Sequence, residues 1–229
     1  LRSTEGSNPS LPARSIRPQG RILFPPCASI EEVLFESLPS RQINTPARTY
    51  FLLHIAYLSG LFFSGKIPAM KLNLALAQIN TKLGDVDANL AKHLEYIKQA
   101  KAEKADLLVF PELSLIGYVL QDLVASVAHK PTEDAPVFKH LLKASHDLDL
   151  VVGFVNEDSR HRFFIASAYL SGGKTVHVHH KVYLPTYGLF DEGRFFAWGD
   201  AVRAFDTRFG RIGMLICEDF WHASPPYLL

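Results

Sequence analysis

The stretch MKLNLALAQINTKLGDVDANLAKHLEYIKQAKAEKADLLVF, residues 70–110, changes its hydrophobic period twice, and those changes set the fold class. It opens with Leu72, Leu74 and Leu76 on one face and Ala75 and Ala77 on the other, which reads as a first strand over 72–79 with no free edge. Asp85 or Asp87 can then accept from the free amides of a helix start. Leu90, Leu94, Ile97 and Ala100 keep one side of that helix apolar while lysines take the other. At 105–110 the pattern becomes a continuous apolar run, ADLLVF, as expected of a parallel strand covered on both faces. Together these segments make one βαβ unit.

Working outward, the same alternation returns. A helix is expected over 135–147 with Val137, Leu141, Ala144 and Leu148 inside, followed by the strand LVVGFV at 150–155. FFIASAYLS, a turn at 171–174 and TVHVHHKV form a hairpin. AVRAFDT, a turn at 208–211 and IGMLIC form a second one, with its last strand running to Cys217. Buried strands, outer helices and hairpins define a layered α/β domain.

Upstream of Met70 the composition breaks. Residues 1–69 hold six Arg, a single Lys, no Asp and eight of the 14 prolines, so no regular period survives there. The expected organisation is a leader over 1–69 outside the functional unit, a start at Met70 and a functional domain over 70–229. The apolar run YFLLHIAYLSGLFFS at 50–64 is shorter than the roughly 20 residues of a spanning helix and lies far from the N-terminus, so no membrane attachment is expected. GLFFSGK at 60–66 falls one residue short of a phosphate-binding loop, because Ile67 stands where Ser or Thr must hold magnesium.

The whole chain has 229 residues, 48% of them hydrophobic and 21% charged, with a formal net charge of +1. That balance provides no general field for nucleic acid or an anionic membrane. Cys27 and Cys217, in unlike contexts, argue against a disulfide, and a reducing cytoplasmic setting is the default.

Three segments place a reactive side chain at a strand end. In FPEL, Pro111 stops the strand and presents Glu112 beside Phe110 and Leu115, apolar surroundings that raise a carboxyl toward the range of a general base. In HKVYLP, Lys181 closes the TVHVHH strand and can offer a fixed charge to an oxyanion. In GMLICED, Cys217 follows an apolar run at the point where polar Glu218 and Asp219 mark its exit, a position suited to a thiol nucleophile with backbone amides beside it. Singly, each also reads as an ordinary loop glutamate, surface lysine or core cysteine.

Jointly the three residues, in the order Glu112, Lys181 and Cys217, resemble the carbon–nitrogen hydrolase (nitrilase) superfamily, whose members carry a Glu-Lys-Cys triad. The resemblance spans residues 70–229. Its details, ALAQINTKLGDVDANL, FPELSLIGY, KVYLPTYGLFDEGRFF and LICEDFW, look closest to the glutaminase domain of glutamine-dependent NAD synthetase. The resemblance implies a four-layer αββα sandwich whose C-terminal part is missing from this chain. It also implies an auxiliary carboxylate at Glu192 and self-association through the sandwich. A synthetase that accepts the released ammonia is the implied partner, and no cofactor or metal is called for. Tyr118, Tyr187 and Trp221 are candidates either for walls of a substrate pocket or for plain core.

The implied reaction is cleavage of a small-molecule primary amide through a thioester on Cys217, with Lys181 and Glu112 easing thiolate formation. Nitriles are the alternative substrate, and a catalytically silent binding subunit on the same fold is the alternative outside enzymology. A metal hydrolase using His177, His179 and His180 with Asp191, Glu192 or His222 is the rival chemistry. Alternation with Val176 and Val178 explains His177 and His179 as the polar face of a plain strand.

Overall fold

The computed structural model describes residues 72–229. The expected leader, the apolar run at 50–64, the segment at 60–66 and Cys27 lie outside them. Strand β1 (Leu74–Leu76), helix α1 (Val86–Ala102) and strand β2 (Leu107–Val109) form the first βαβ unit, with Leu74 paired in parallel to Leu107. Asp85 caps α1, its carboxylate accepting from Ala88 N at 3.0 Å. Helix α2 (Pro136–Ala144) has Pro136 in its first turn, where a missing N–H costs nothing. It leads to β3 (Asp149–Glu157), which pairs in parallel with β2. Strands β4 (Phe163–Ser171) and β5 (Lys174–His180) extend the sheet as antiparallel neighbours in the order β1-β2-β3-β4-β5. Gly172 and Gly173, both at positive φ, make the tight turn between them.

Side chains leave β2 and β3 in alternation. Leu108, Phe110, Leu150, Val152 and Phe154 enter the core shared with Phe138 and Leu141 of α2. Leu107, Val109 and Val151 enter a second core with Tyr169, Phe209, Ile212 and Met214. Both faces are therefore covered, which is why these segments read as unbroken apolar runs. Full burial of each Leu or Phe contributes about 2 kcal/mol.

Two expectations need correction and a third is completed. Strand β1 is three residues long and, among the described residues, sits at an end of the sheet. Its apolar alternation carried no information about its edges, and Leu76 of that pattern is 58% exposed. The second hairpin, β6 (Ala204–Thr207) and β7 (Gly210–Gly213), stops before Cys217. Residues 214–216 continue past the last paired residue, with Met214 in one core and Ile216 in the other, so the chain passes between two apolar environments without a ladder. On α1, finally, the expected stripe does face the core, with Ile97 and Ala100 buried and Leu90 and Leu94 packed against it, but the same face also buries Asn89 and His93, which the apolar pattern left out.

The polar pair on the inner face of α1 fastens the turn after β2. Asn89 donates to Lys82 O and Leu115 O, and His93 lies 2.9 Å from Ser114 Oγ while stacking on Phe110. Beneath that turn is Gly153 of β3. A Cβ there would fall 2.4 Å from Pro111 O and 2.5 Å from Leu113 N, so only glycine lets the turn lie on the sheet.

Candidate active site

Glu112 stands in the turn that follows β2. Pro111 ends the run, Phe110 N still donates to Val151 O at 2.9 Å, and Leu113 takes a positive φ of 51°. Lys181 follows β5 directly, fixed by its own N–H to Ile165 O at 2.8 Å and by Gly199 N to its carbonyl at 2.8 Å. Glu192 opens the short helix α3 (Glu192–Phe195), its N–H donating to Pro185 O. Cys217 begins a 3-10 turn, Cys217–Trp221, at a φ of 45° that non-glycine residues seldom adopt, which is backbone strain of the kind found at functional sites.

These four side chains meet. Lys181 Nζ is fully buried and lies 2.8 Å from Glu112 Oε1 and 2.9 Å from Glu192 Oε1. The Cys217 thiol lies close enough to this group for Glu112, Lys181 and Glu192 all to act on its protonation. Tyr118 donates its hydroxyl to Glu192 Oε1 from the far side. A base, a cation and a thiol thus share one buried cluster, with a second carboxylate on the cation.

Their electrostatics follow from burial. Glu112 is raised above the usual carboxylate range by loss of water, although the Lys181 charge pulls it back. Burial works to lower the Lys181 ammonium, but the adjoining Glu112 and Glu192 override it and leave its pKa above the ordinary lysine value. The Cys217 thiol is pushed up to about 11 by burial and then by the Glu112 charge, against the pull of Lys181. The expected easy thiolate is therefore corrected: burial and the Glu112 charge favour the protonated sulfur at neutral pH. Tyr118 is held protonated by burial and by Glu192.

Of the residues considered as pocket walls, only Tyr118 touches the cluster. It also lines, with Glu192, Leu113, Leu189, Arg194 and Phe195, a cavity of about 250 Å³. Tyr187 is 59% exposed, reaching Glu218 at 3.0 Å, and Trp221 is 81% exposed, so neither is core.

The histidines of β5 go three separate ways. His177 stacks on Phe205, His180 stacks on Phe164 and meets Asn156 at 2.8 Å, and His179 meets Asp219 at 2.8 Å. Among the described residues no three His, Cys, Asp or Glu side chains are grouped to hold a metal ion. His179 is 2% exposed, which corrects its reading as part of a polar strand face. The buried Asp219 explains the difference, since a carboxylate inside the fold provides the partner an imidazole needs there. Asp219 carried no role in the sequence reading beyond marking the end of a strand. His93 and Ser114, which brace the Glu112 turn, had no signal at all.

A model of the carbon–nitrogen hydrolase family matches residues 73–228, and the chain belongs to that family. The glutamine-dependent NAD(+) synthetase of Acinetobacter baylyi is 35% identical over 150 residues, covering 65% of this chain and 27% of that protein. A probable nitrilase of Schizosaccharomyces pombe is 30% identical over 158 residues, covering 66% of this chain and 56% of its own length. Among solved structures, the glutamine-dependent NAD+ synthetase of Acinetobacter baumannii bound to ADP superposes with a TM-score of 0.59 at 34% identity, covering 68% of this chain and 29% of that one. The fold is thus of the nitrilase-superfamily type, a mixed α/β architecture around a central sheet. The chain spans little more than a quarter of the length of these synthetases.

Proposed function

We propose that the chain carries a thiol-dependent amidase site that cleaves a glutamine-like primary amide to the acid and ammonia. The observation that carries this reading is the cluster in which Lys181 bridges Glu112 and Glu192 and all three charges act on the Cys217 thiol. Cys217 Sγ attacks the amide carbon as Glu112 takes the thiol proton, forming the S–C bond. Lys181 and a backbone N–H after Cys217 hold the oxyanion, a contact worth roughly 3 kcal/mol per donor. The C–N bond breaks as Glu112 returns its proton to nitrogen, and ammonia leaves. Glu112 then takes a proton from water, whose oxygen attacks the thioester. The C–S bond breaks and the proton returns to sulfur.

The likeness to the named synthetases supports glutamine as the substrate and a synthetase as the acceptor of the ammonia. An ammonia-release screen of the purified protein over glutamine, other ω-amides, aliphatic amides and nitriles tests the substrate class, with glutamine expected to lead. Cys217→Ala and Cys217→Ser should abolish release while the circular dichroism spectrum stays unchanged. Full turnover by the alanine variant would remove the assignment.

A further inference from the structure

Asp219 is completely buried and receives four donors from two parts of the chain that are distant in sequence. Its Oδ1 accepts from Val182 N at 2.9 Å and from Tyr183 N at 2.8 Å, the two residues after Lys181. Its Oδ2 accepts from Ile216 N at 3.1 Å, the residue before Cys217, and from His179 Nε2 at 2.8 Å, two residues before Lys181. Asp219 N also donates to Ile216 O at 3.0 Å, which closes a ring around the strained Cys217.

We propose that Asp219, oriented by His179, is the positioning residue that sets the separation of the Lys181 ammonium and the Cys217 thiol. A capping role for the 3-10 turn at Cys217 would need only the bond from Ile216 N. The two bonds to the chain just past Lys181, 36 and 37 residues away, have no part in such a cap, and they join the element bearing the cation to the element bearing the sulfur. All four bonds to the Asp219 carboxylate come from backbone N–H groups flanking Lys181 and Cys217 and from His179, so it acts through geometry. His179 completes the device. Its Nε2–H takes the remaining lone pair of Oδ2 and keeps the carboxylate turned toward both backbones.

The kinetic part of the test rests on the amidase reading, and the chemical part does not. The chemical part is the rate at which iodoacetamide alkylates Cys217 at fixed pH, measured beside kcat, KM and the melting temperature. Asp219→Asn keeps an oxygen for Val182 and Tyr183 but turns an NH2 against Ile216 N–H, so the sulfur is released while the lysine side stays tethered. A misplacement near 1 Å can cost about 10²-fold in rate. Asp219→Asn should therefore lose about that factor in kcat with KM within about threefold, and should alkylate about tenfold more slowly. His179→Phe should fall in the same direction. His179→Gln, which places an amide donor where Nε2 stood, should return both rates to within about threefold of the parent.

Alkylation of Asp219→Asn or His179→Phe within twofold of the parent rate would overturn the inference, as would His179→Gln proving no better than His179→Phe. Should Asp219→Asn fail to fold, the two His179 variants decide alone. A parent protein that turns over no amide counts against the amidase reading only, since the alkylation comparison still decides the positioning role.

Discussion

The thiol of Cys217 illustrates how burial and neighbouring charges together set the protonation of one side chain. Because burial and Glu112 place its pKa near 11, removing the Glu112 charge should help the thiolate, and removing the Lys181 charge should hinder it. In Glu112→Gln the alkylation profile of Cys217 is expected to titrate below about 11, and in Lys181→Met above it. Equal midpoints in both variants would mean that these charges do not act on the sulfur. Catalysis should respond differently. With Glu112 as the base of the proposed reaction, kcat/KM is expected to rise with pH through a midpoint above the ordinary glutamate value, and Glu112→Gln should lose about 10²- to 10⁴-fold and the acid limb with it. Glu112, Lys181 and Cys217 were readable as a set because each is a reactive side chain expected where a strand ends. Asp219 was not, since its work depends on neighbours 36 and 37 residues away in sequence.

Among the elements, the turn after β2 is where fold and site are most tightly joined. It rests on Gly153 and is tied to α1 through His93, Ser114 and Asn89. Gly153→Ala must push Pro111 O and Leu113 N outward and Glu112 with them. The expected result is a loss of activity of about 10²-fold with a smaller loss of stability, read from kcat and the melting temperature of one preparation. His93 adds a pH dependence. Burial lowers its pKa from 6.5 to about 4, so between those values the unfolded chain binds a proton that the folded protein does not. Stability should therefore decline as pH falls through that window, by about 3 kcal/mol at its lower end, and His93→Gln should flatten the decline in urea titrations at pH 7 and pH 4. Asn89 and His93 on the inner face of α1 were missed for the same reason that makes them useful. Periodicity finds apolar stripes, whereas this stripe carries Asn and His because it must bond to a turn as well as pack on a core.

Across the described molecule, a turn after β2, the end of β5 and the chain beyond β7 converge, and the layout of strands and helices that brings them together was largely legible. The βαβ order, the β4–β5 hairpin and the buried character of β2 and β3 follow from hydrophobic period alone. The position of β1 at the end of the sheet and the early stop of β7 do not, because hydrogen-bonded edges leave no mark on a pattern of faces. The separate commitments of His177, His179 and His180 lead to the expectation that amide hydrolysis is unchanged after prolonged treatment with a strong chelator, and an ammonia assay before and after treatment checks it. The most direct test of the central claim, that this convergence produces an acylating thiol, is mass spectrometry of protein acid-quenched during turnover of a primary amide. An acyl adduct confined to the peptide bearing Cys217, and absent from Cys217→Ala, is the predicted result. Turnover with no adduct there, or with one on another residue, would contradict it.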